Sequence, residues 1–144
     1  MNSSLTADLV QVAGRALRVL ARDSQLEAMG SSTPSLAVVQ ANAPVTVSHF
    51  ARHYGCTQPS ASQLLAKLER HGWVTRERDA HDRRVSTFRL TDEGQAQLAT
   101  ARRRAGELLS PALDTLDPGD LDALQRVISR LDLELDEMSR RRDD

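Results

Sequence analysis

The stretch RERDAHDRRVSTFRLT, residues 76–91, holds five arginines, three carboxylates and a histidine. Guanidinium groups are planar, permanently charged donors that suit phosphate oxygens and the negative floor of a DNA groove. Carboxylates interleaved among them can hold those cations in place, and the alternating flanks put the whole set on a hairpin. A second set lies just upstream, where Gln58, Ser60, Ser62, Gln63 and Lys67 fall on a helical face opposite Leu64 and Leu68. Glutamine pairs with adenine edges and serine serves as donor or acceptor, which is the chemistry of base reading. Pro59 adds apolar contact and fixes the first turn. This face is nearly uncharged, so affinity for a polyanion has to come from the hairpin and its flanks.

The other reactive groups form no comparable set. All four histidines fall between residues 49 and 81. His49 and His53 stand four apart, a spacing that suits a metal ion. Their register is opposite the Phe50/Tyr54 face and no carboxylate or thiol is arranged to complete a site, so they read as solvated or phosphate-facing, and no metal or cofactor is expected. The lone Cys56 reads as a small buried hydrophobe in a turn. Redox sensing through that thiol is the alternative. No Gly-rich phosphate loop, nucleophile elbow or paired-carboxylate site is present, so the chain offers no residues to nominate for catalysis.

Composition narrows the class. A chain of 144 residues suffices for one domain with its own core. Its net charge of −1 hides an asymmetry: residues 52–89 carry eight Arg or Lys against four Asp or Glu, and residues 107–144 carry five against eleven. Such a split points to a polyanion-binding part joined to a part with another task. A single cysteine forms no internal disulfide, and no basic leader or membrane-length apolar run is present, so a cytoplasmic protein is expected.

Periodicity supplies the elements that must position these side chains. Leu5, Leu9, Val12, Ala16 and Val19 mark a long amphipathic helix ending near Gly30. A short helix follows, with Thr33 as its cap and Pro34 in its first turn. Thr46 or Val47 opens a helix that Gly55 stops, and Thr57 caps another, ended by Gly72. Two short strands, WVTRER and RVSTFRLT, are joined by DAHDR. Thr91 caps a helix that runs to about Leu109, where Pro111 is expected to bend or interrupt it. Asp117 caps the last helix, whose apolar positions Leu121, Leu124, Ile128, Leu131, Leu135 and Met138 repeat as a coiled-coil seam. Two helices joined by a tight turn and followed by a hairpin make a winged helix-turn-helix.

The run VTVSHFARHYGCTQPSASQLLAKLERHGWVTRERDAHDRRVSTFRLTDEG resembles the DNA-binding lobe of the MarR family of bacterial transcription regulators. Phe50, Ala51 and Gly55, then Leu64 and Leu68, then LERHGWV fall on that family's pattern. Its wing signature, Asp-x-Arg followed by Leu-Thr, stands here as Asp82, Arg84, Leu90 and Thr91. The resemblance implies a mainly α fold with a small β-hairpin wing in a single domain. The winged lobe would occupy about residues 33–95, with dimerisation helices at about 4–29 and 96–140. It puts Arg84 in the minor groove with Asp82 as its brace, and makes Arg76, Arg78 and Arg83 phosphate contacts. Thr57, Gln58, Pro59, Ser60, Ser62, Gln63 and Lys67 become the DNA-binding helix. Leu5, Leu9 and Val12, with Leu121, Leu124, Ile128, Leu131 and Leu135, become the surface that joins two copies. One departure is the second helix, SSTPSLAVVQAN, which is shorter and less bulky than the family's.

The expectation is a homodimeric, sequence-specific regulator of double-stranded DNA. It would act as a repressor on a near-palindromic operator, relieved by a small phenolic or lipophilic ligand. The competing possibility is a winged helix that serves only as a protein–protein scaffold. A basic wing tip aimed with the recognition helix favours DNA.

Overall fold

Threonine and aspartate side chains start the helices on which the site depends. The computed structural model describes residues 2–30 and 32–141, without the side chains of Asn2, Ser139 and Arg140. Its elements run α1 (Asn2–Leu20), α2 (Ser24–Met29), α3 (Ser32–Asn42), β1 (Val45–Thr46), α4 (Val47–Tyr54), α5 (Gln58–Arg70), β2 (Val74–Arg78), β3 (Ser86–Leu90), α6 (Asp92–Leu113) and α7 (Pro118–Arg141). Thr46 Oγ1 accepts from His49 N at 3.2 Å, Thr91 Oγ1 from Gly94 N at 3.1 Å, and Asp117 Oδ1 from Asp120 N at 2.8 Å. Each such cap satisfies a main-chain donor the helix leaves open, and contributes about 1 kcal/mol. Gly55, at φ 80°, closes α4 in the left-handed region that a side chain would strain.

Three expectations are corrected by the fold. The first amphipathic segment is not one helix to Gly30. It breaks after Leu20 and restarts as α2 because the Asp23 carboxylate accepts from Gln25 N and Leu26 N, both at 3.1 Å. Thr33 does not cap the next helix, which is already under way at Ser32; the Thr33 hydroxyl lies buried inside the first turn. Of the bend or interruption expected at Pro111, the interruption is corrected: α6 runs on to Leu113. The one N–H bond that Pro111 forfeits lies close to the helix end, where only a few bonds depend on it.

The chain divides into two compact units, Met1–Leu109 and Ser110–Asp144. In the first, Leu36 and Val39 of α3, Phe50 and Ala51 of α4, and Ala61, Leu65 and Leu68 of α5 form a core with Val45, Val74, Phe88 and Leu98. Phe50 stacks on Tyr54 with ring centroids 5.4 Å apart. Three antiparallel strands in the order β1-β3-β2 cover it, with Val45 opposite Phe88 and Val74 opposite Leu90. The two-residue β1 escapes sequence patterning because its strand partner, β3, lies more than forty residues on. α1 adds nothing to this core: Leu5, Leu9, Val12 and Leu17 are exposed by 46–71%. In the second unit, α7 leaves Leu121, Ile128, Leu135 and Met138 exposed, with Leu124 and Leu131 half-buried.

Candidate nucleic-acid interface

The base of the wing is fastened by one threonine. Thr91 Oγ1 donates to the Gly72 carbonyl at 2.6 Å and accepts from Gly94 N, while Thr91 N donates to the Trp73 carbonyl at 3.0 Å. The exit of α5, the start of β2, the end of β3 and the start of α6 are thereby tied at one point. Gly94 lets them close up, since a β-carbon there would run into the Trp73 carbonyl and stand 2.9 Å from its carbon. The wing thus springs from a closely bonded junction at the end of α5.

From that base, β2 and β3 leave the core. Val74 is buried, and Thr75, Arg76, Glu77 and Arg78 are all exposed. Arg76 Nε donates to Ser86 Oγ at 2.9 Å, and its guanidinium lies 5.9 Å from the centre of the Phe88 ring. Arg89 and Glu77 form a long 3.9 Å pair across the strands. At the tip, Asp82 Oδ1 accepts from Arg84 N at 3.0 Å and from Arg84 Nε at 3.2 Å. The Arg84 side chain is 92% exposed, so it is braced at its root and open at its end. Arg83 is exposed beside it.

Asp79, which sequence reasoning passed over, shapes that tip. Its Oδ1 accepts from His81 N at 2.7 Å and from Asp82 N at 3.1 Å. These main-chain donors, His81 first, hold its carboxyl below the usual range. An aspartate opening a hairpin loop is the available signal, because its carboxylate can bond main-chain N–H groups two and three residues on.

On α5 the buried side is Ala61, Leu65 and Leu68, and Leu64 is half-buried. Gln58, Pro59, Ser60, Ser62 and Gln63 are exposed on the other side. Thr57 is committed to the helix, donating to Ser60 Oγ at 3.0 Å and accepting from Ser60 N at 3.4 Å. Lys67 is set back: it is half-buried, and its ammonium is 3.9 Å from where a β-carbon on Gly30 would stand. Cys56 is half-buried and packs against the core.

A separate cavity of about 290 Å³ opens in the first unit, lined by Leu17 and Leu20 of α1, Leu26 of α2, Pro34 of α3, and Ala101 and Arg102 of α6. Arg102 Nη1 donates from its rim to Gln40 Oε1 on α3 at 2.9 Å. Nearby, Arg104 of α6 grips Asp23 through Nη2 at 2.6 Å and Nε at 3.1 Å. That guanidinium, aided by the Leu26 and Gln25 N–H groups and opposed by burial, holds the Asp23 carboxyl below its ordinary value. Among the described residues no helix is long and apolar enough to cross a membrane.

Comparison with known proteins agrees with this geometry. Residues 33–85, the stretch from α3 into the wing, match the MarR family. The transcriptional repressor MprA of Escherichia coli K12 is 25% identical over 122 residues, spanning 81% of this chain and 69% of that protein. Among solved structures, Streptococcus pneumoniae FabT in complex with DNA aligns with a TM-score of 0.66 at 18% identity, covering 96% of this chain and 99% of that one. Apo wild-type MarR from E. coli aligns with a TM-score of 0.70 at 18% identity, covering 88% of this chain and 96% of that one. The wing, the capped helix pair and these matches together place residues 33–85 with the MarR family of winged helix-turn-helix transcription regulators, which are not enzymes.

Proposed function

We propose that two copies of this protein bind one double-stranded DNA operator as a repressor, and that a small lipophilic or phenolic ligand releases it. The observation that carries the DNA reading is the wing tip, where Asp82 braces a fully projecting Arg84 beside the exposed polar side of α5. A pre-set guanidinium suits a narrow minor groove, where the negative potential is strongest. The exposed side of α5 would read base edges in the adjacent major groove through Gln58, Ser62 and Gln63. Arg76, Arg78 and Arg83 would contact phosphates, which set affinity and register without reading sequence.

The apolar stripes of α1 and α7 support a homodimer, because stripes of this kind mark partner surfaces and two-fold pairing of identical copies is the commonest solution. The cavity beside Arg102 is the site for the ligand. Its walls are mostly apolar, and Arg102 links it through Gln40 to α3, which packs against α4 and α5.

The test is selection of duplexes from a random pool on the full chain. The expected outcome is a near-palindromic consensus with half-sites one helical turn apart, ~10 bp centre to centre. Alanine at Gln58, Ser62 or Gln63 should relax particular positions of that consensus while binding to random duplex persists. A pool that returns no consensus would refute sequence-specific recognition.

A further inference from the structure

One pair of side chains that the DNA reading leaves unused is held together on α4. His49 and His53 stand one turn apart on α4, and their Nε2 atoms are 2.8 Å from each other. Their rings meet edge-on, with centroids 4.6 Å apart and planes at 64°. One nitrogen donates to the other, so the accepting ring is neutral and the two Nε2 atoms face each other. Phe50 and Ala51, on the adjoining face of the same helix, are buried, whereas the two imidazoles are only half-buried and reachable from solvent.

Neutral imidazole is the preferred side-chain ligand of late first-row divalent ions. Two nitrogens that meet a metal at right angles, with bonds of about 2.0–2.1 Å, stand about 2.9 Å apart. The two Nε2 atoms, 2.8 Å apart as a hydrogen bond, are near enough for one ion to replace the shared proton. A tetrahedral ion with the same bond lengths would need the nitrogens about 3.3 Å apart. Right-angled nitrogen coordination is the habit of Cu²⁺ and Ni²⁺. Hard ions such as Mg²⁺ and Ca²⁺ require oxygen ligands that the pair lacks.

We propose that His49 and His53 form a two-imidazole chelate for a divalent transition-metal ion, with Cu²⁺ and Ni²⁺ preferred over Zn²⁺. Among the described residues no third histidine, cysteine or carboxylate converges on the pair. The chelate is therefore open-sided, with its remaining positions filled by water or by an oxygen ligand from outside. α4 is the first helix of the helix-turn-helix, and in that motif the first helix crosses the nucleic-acid backbone. A phosphate oxygen of bound DNA can take one of the open positions. This second step rests on the DNA reading; the chelate does not.

Titration of the full chain with NiCl₂ or ZnCl₂, without DNA, at about pH 7.5 where free imidazole is neutral, separates the two. One Ni²⁺ per chain is expected, bound more tightly than Zn²⁺. His49→Ala or His53→Ala should weaken Ni²⁺ roughly tenfold or more by removing one of two ligands, whereas His71→Ala and His81→Ala should not. Affinity should fall as pH is lowered, because protons compete for the same nitrogens. Circular dichroism establishes that each variant is folded. No Ni²⁺ binding, or equal binding by wild type and His53→Ala, overturns the chelate. If Ni²⁺ binds yet duplex affinity is the same with and without it, the phosphate bridge is discarded and the chelate stands.

Discussion

The Asp82 carboxylate reaches both the main-chain N–H and the Nε of Arg84, so the guanidinium leaves the wing tip in a narrow range of directions. As an exposed ion pair this contact adds little to stability. On the proposed function its value lies in sparing conformational entropy as the arginine enters a groove. Arg84→Ala should therefore cost about 1–3 kcal/mol of duplex binding and flatten the log–log salt slope by about one unit. Asp82→Ala should cost less, since the cation remains. Anisotropy titrations at several salt concentrations check both, and an unchanged slope in Arg84→Ala removes that side chain from the groove. Asp23 makes a different prediction, about acid. Its carboxyl, held down chiefly by Arg104, has a folded-state pKa below the 3.8 of the free side chain. The stabilisation it brings is complete above the unfolded value and is lost as pH falls through the folded one. Asp23→Asn should accordingly be less stable than wild type near neutrality, and the gap should begin to narrow near pH 3.8 and close only below the folded-state value. Urea melts at neutral and acid pH would show it, and a gap that stays constant would deny the ion pair its role.

On the proposed function the wing needs a fixed base, and the main-chain bonds at the junction of α5, β2, β3 and α6 supply one. Thr91 and Gly94 act there together: the threonine bonds three main-chain groups across the junction, and the glycine leaves room for the Trp73 carbonyl. Gly94→Ala forces a methyl against main chain, which cannot swing aside as a flexible side chain would. We expect a loss of about 2–3 kcal/mol in chemical denaturation, the upper range for overpacking. A smaller loss of folding stability combined with a large loss of DNA binding would mean that α6 yields and the wing is displaced. Wild-type stability and wild-type binding together would show that the junction tolerates the methyl. On α5 the division is cleaner. Leu65 and Leu68 hold the helix down, and the exposed Gln58, Ser62 and Gln63 can change with little effect on stability.

The assembly prediction concerns α7. Leu121, Ile128, Leu135 and Met138 lie exposed on a helix that nothing in the winged core requires. Removing residues 117–144 should give a monomer, or an aggregate if the stripe of α1 stays uncovered. Two lobes that share one operator gain effective concentration, commonly 10²–10⁴-fold, and the truncated chain should lose that gain. Sedimentation and a band shift on the same sample decide it. A truncation that remains dimeric and binds at full strength would assign α7 to some other task.

Local patterns in the chain were enough to place most of the winged fold. Thr57, Thr91 and Asp117 cap where the sequence puts caps, and of Thr46 and Val47 it is Thr46 that caps α4, since a capping bond joins residues two or three apart and needs no distant partner. Phe50, Ala51, Leu65 and Leu68 are buried because a helix with one apolar stripe has a single way to face a core. The Asp82–Arg84 contact was likewise legible, as its partners are two residues apart. What the sequence left open involves partners that only the returning chain supplies. The two-residue β1 exists because β3 comes back beside it, and the first helical segment breaks where Asp23 both caps α2 and meets Arg104, 81 residues on. Lys67 stood with the base-reading face by its spacing, yet the neighbouring Gly30 turn gives its ammonium a place to fold back. His49 and His53 showed a metal-compatible spacing, but only the folded rotamers bring their Nε2 atoms together. Periodicity assigns a side chain to a face of its own helix; whatever packs against that face sets where its end group goes.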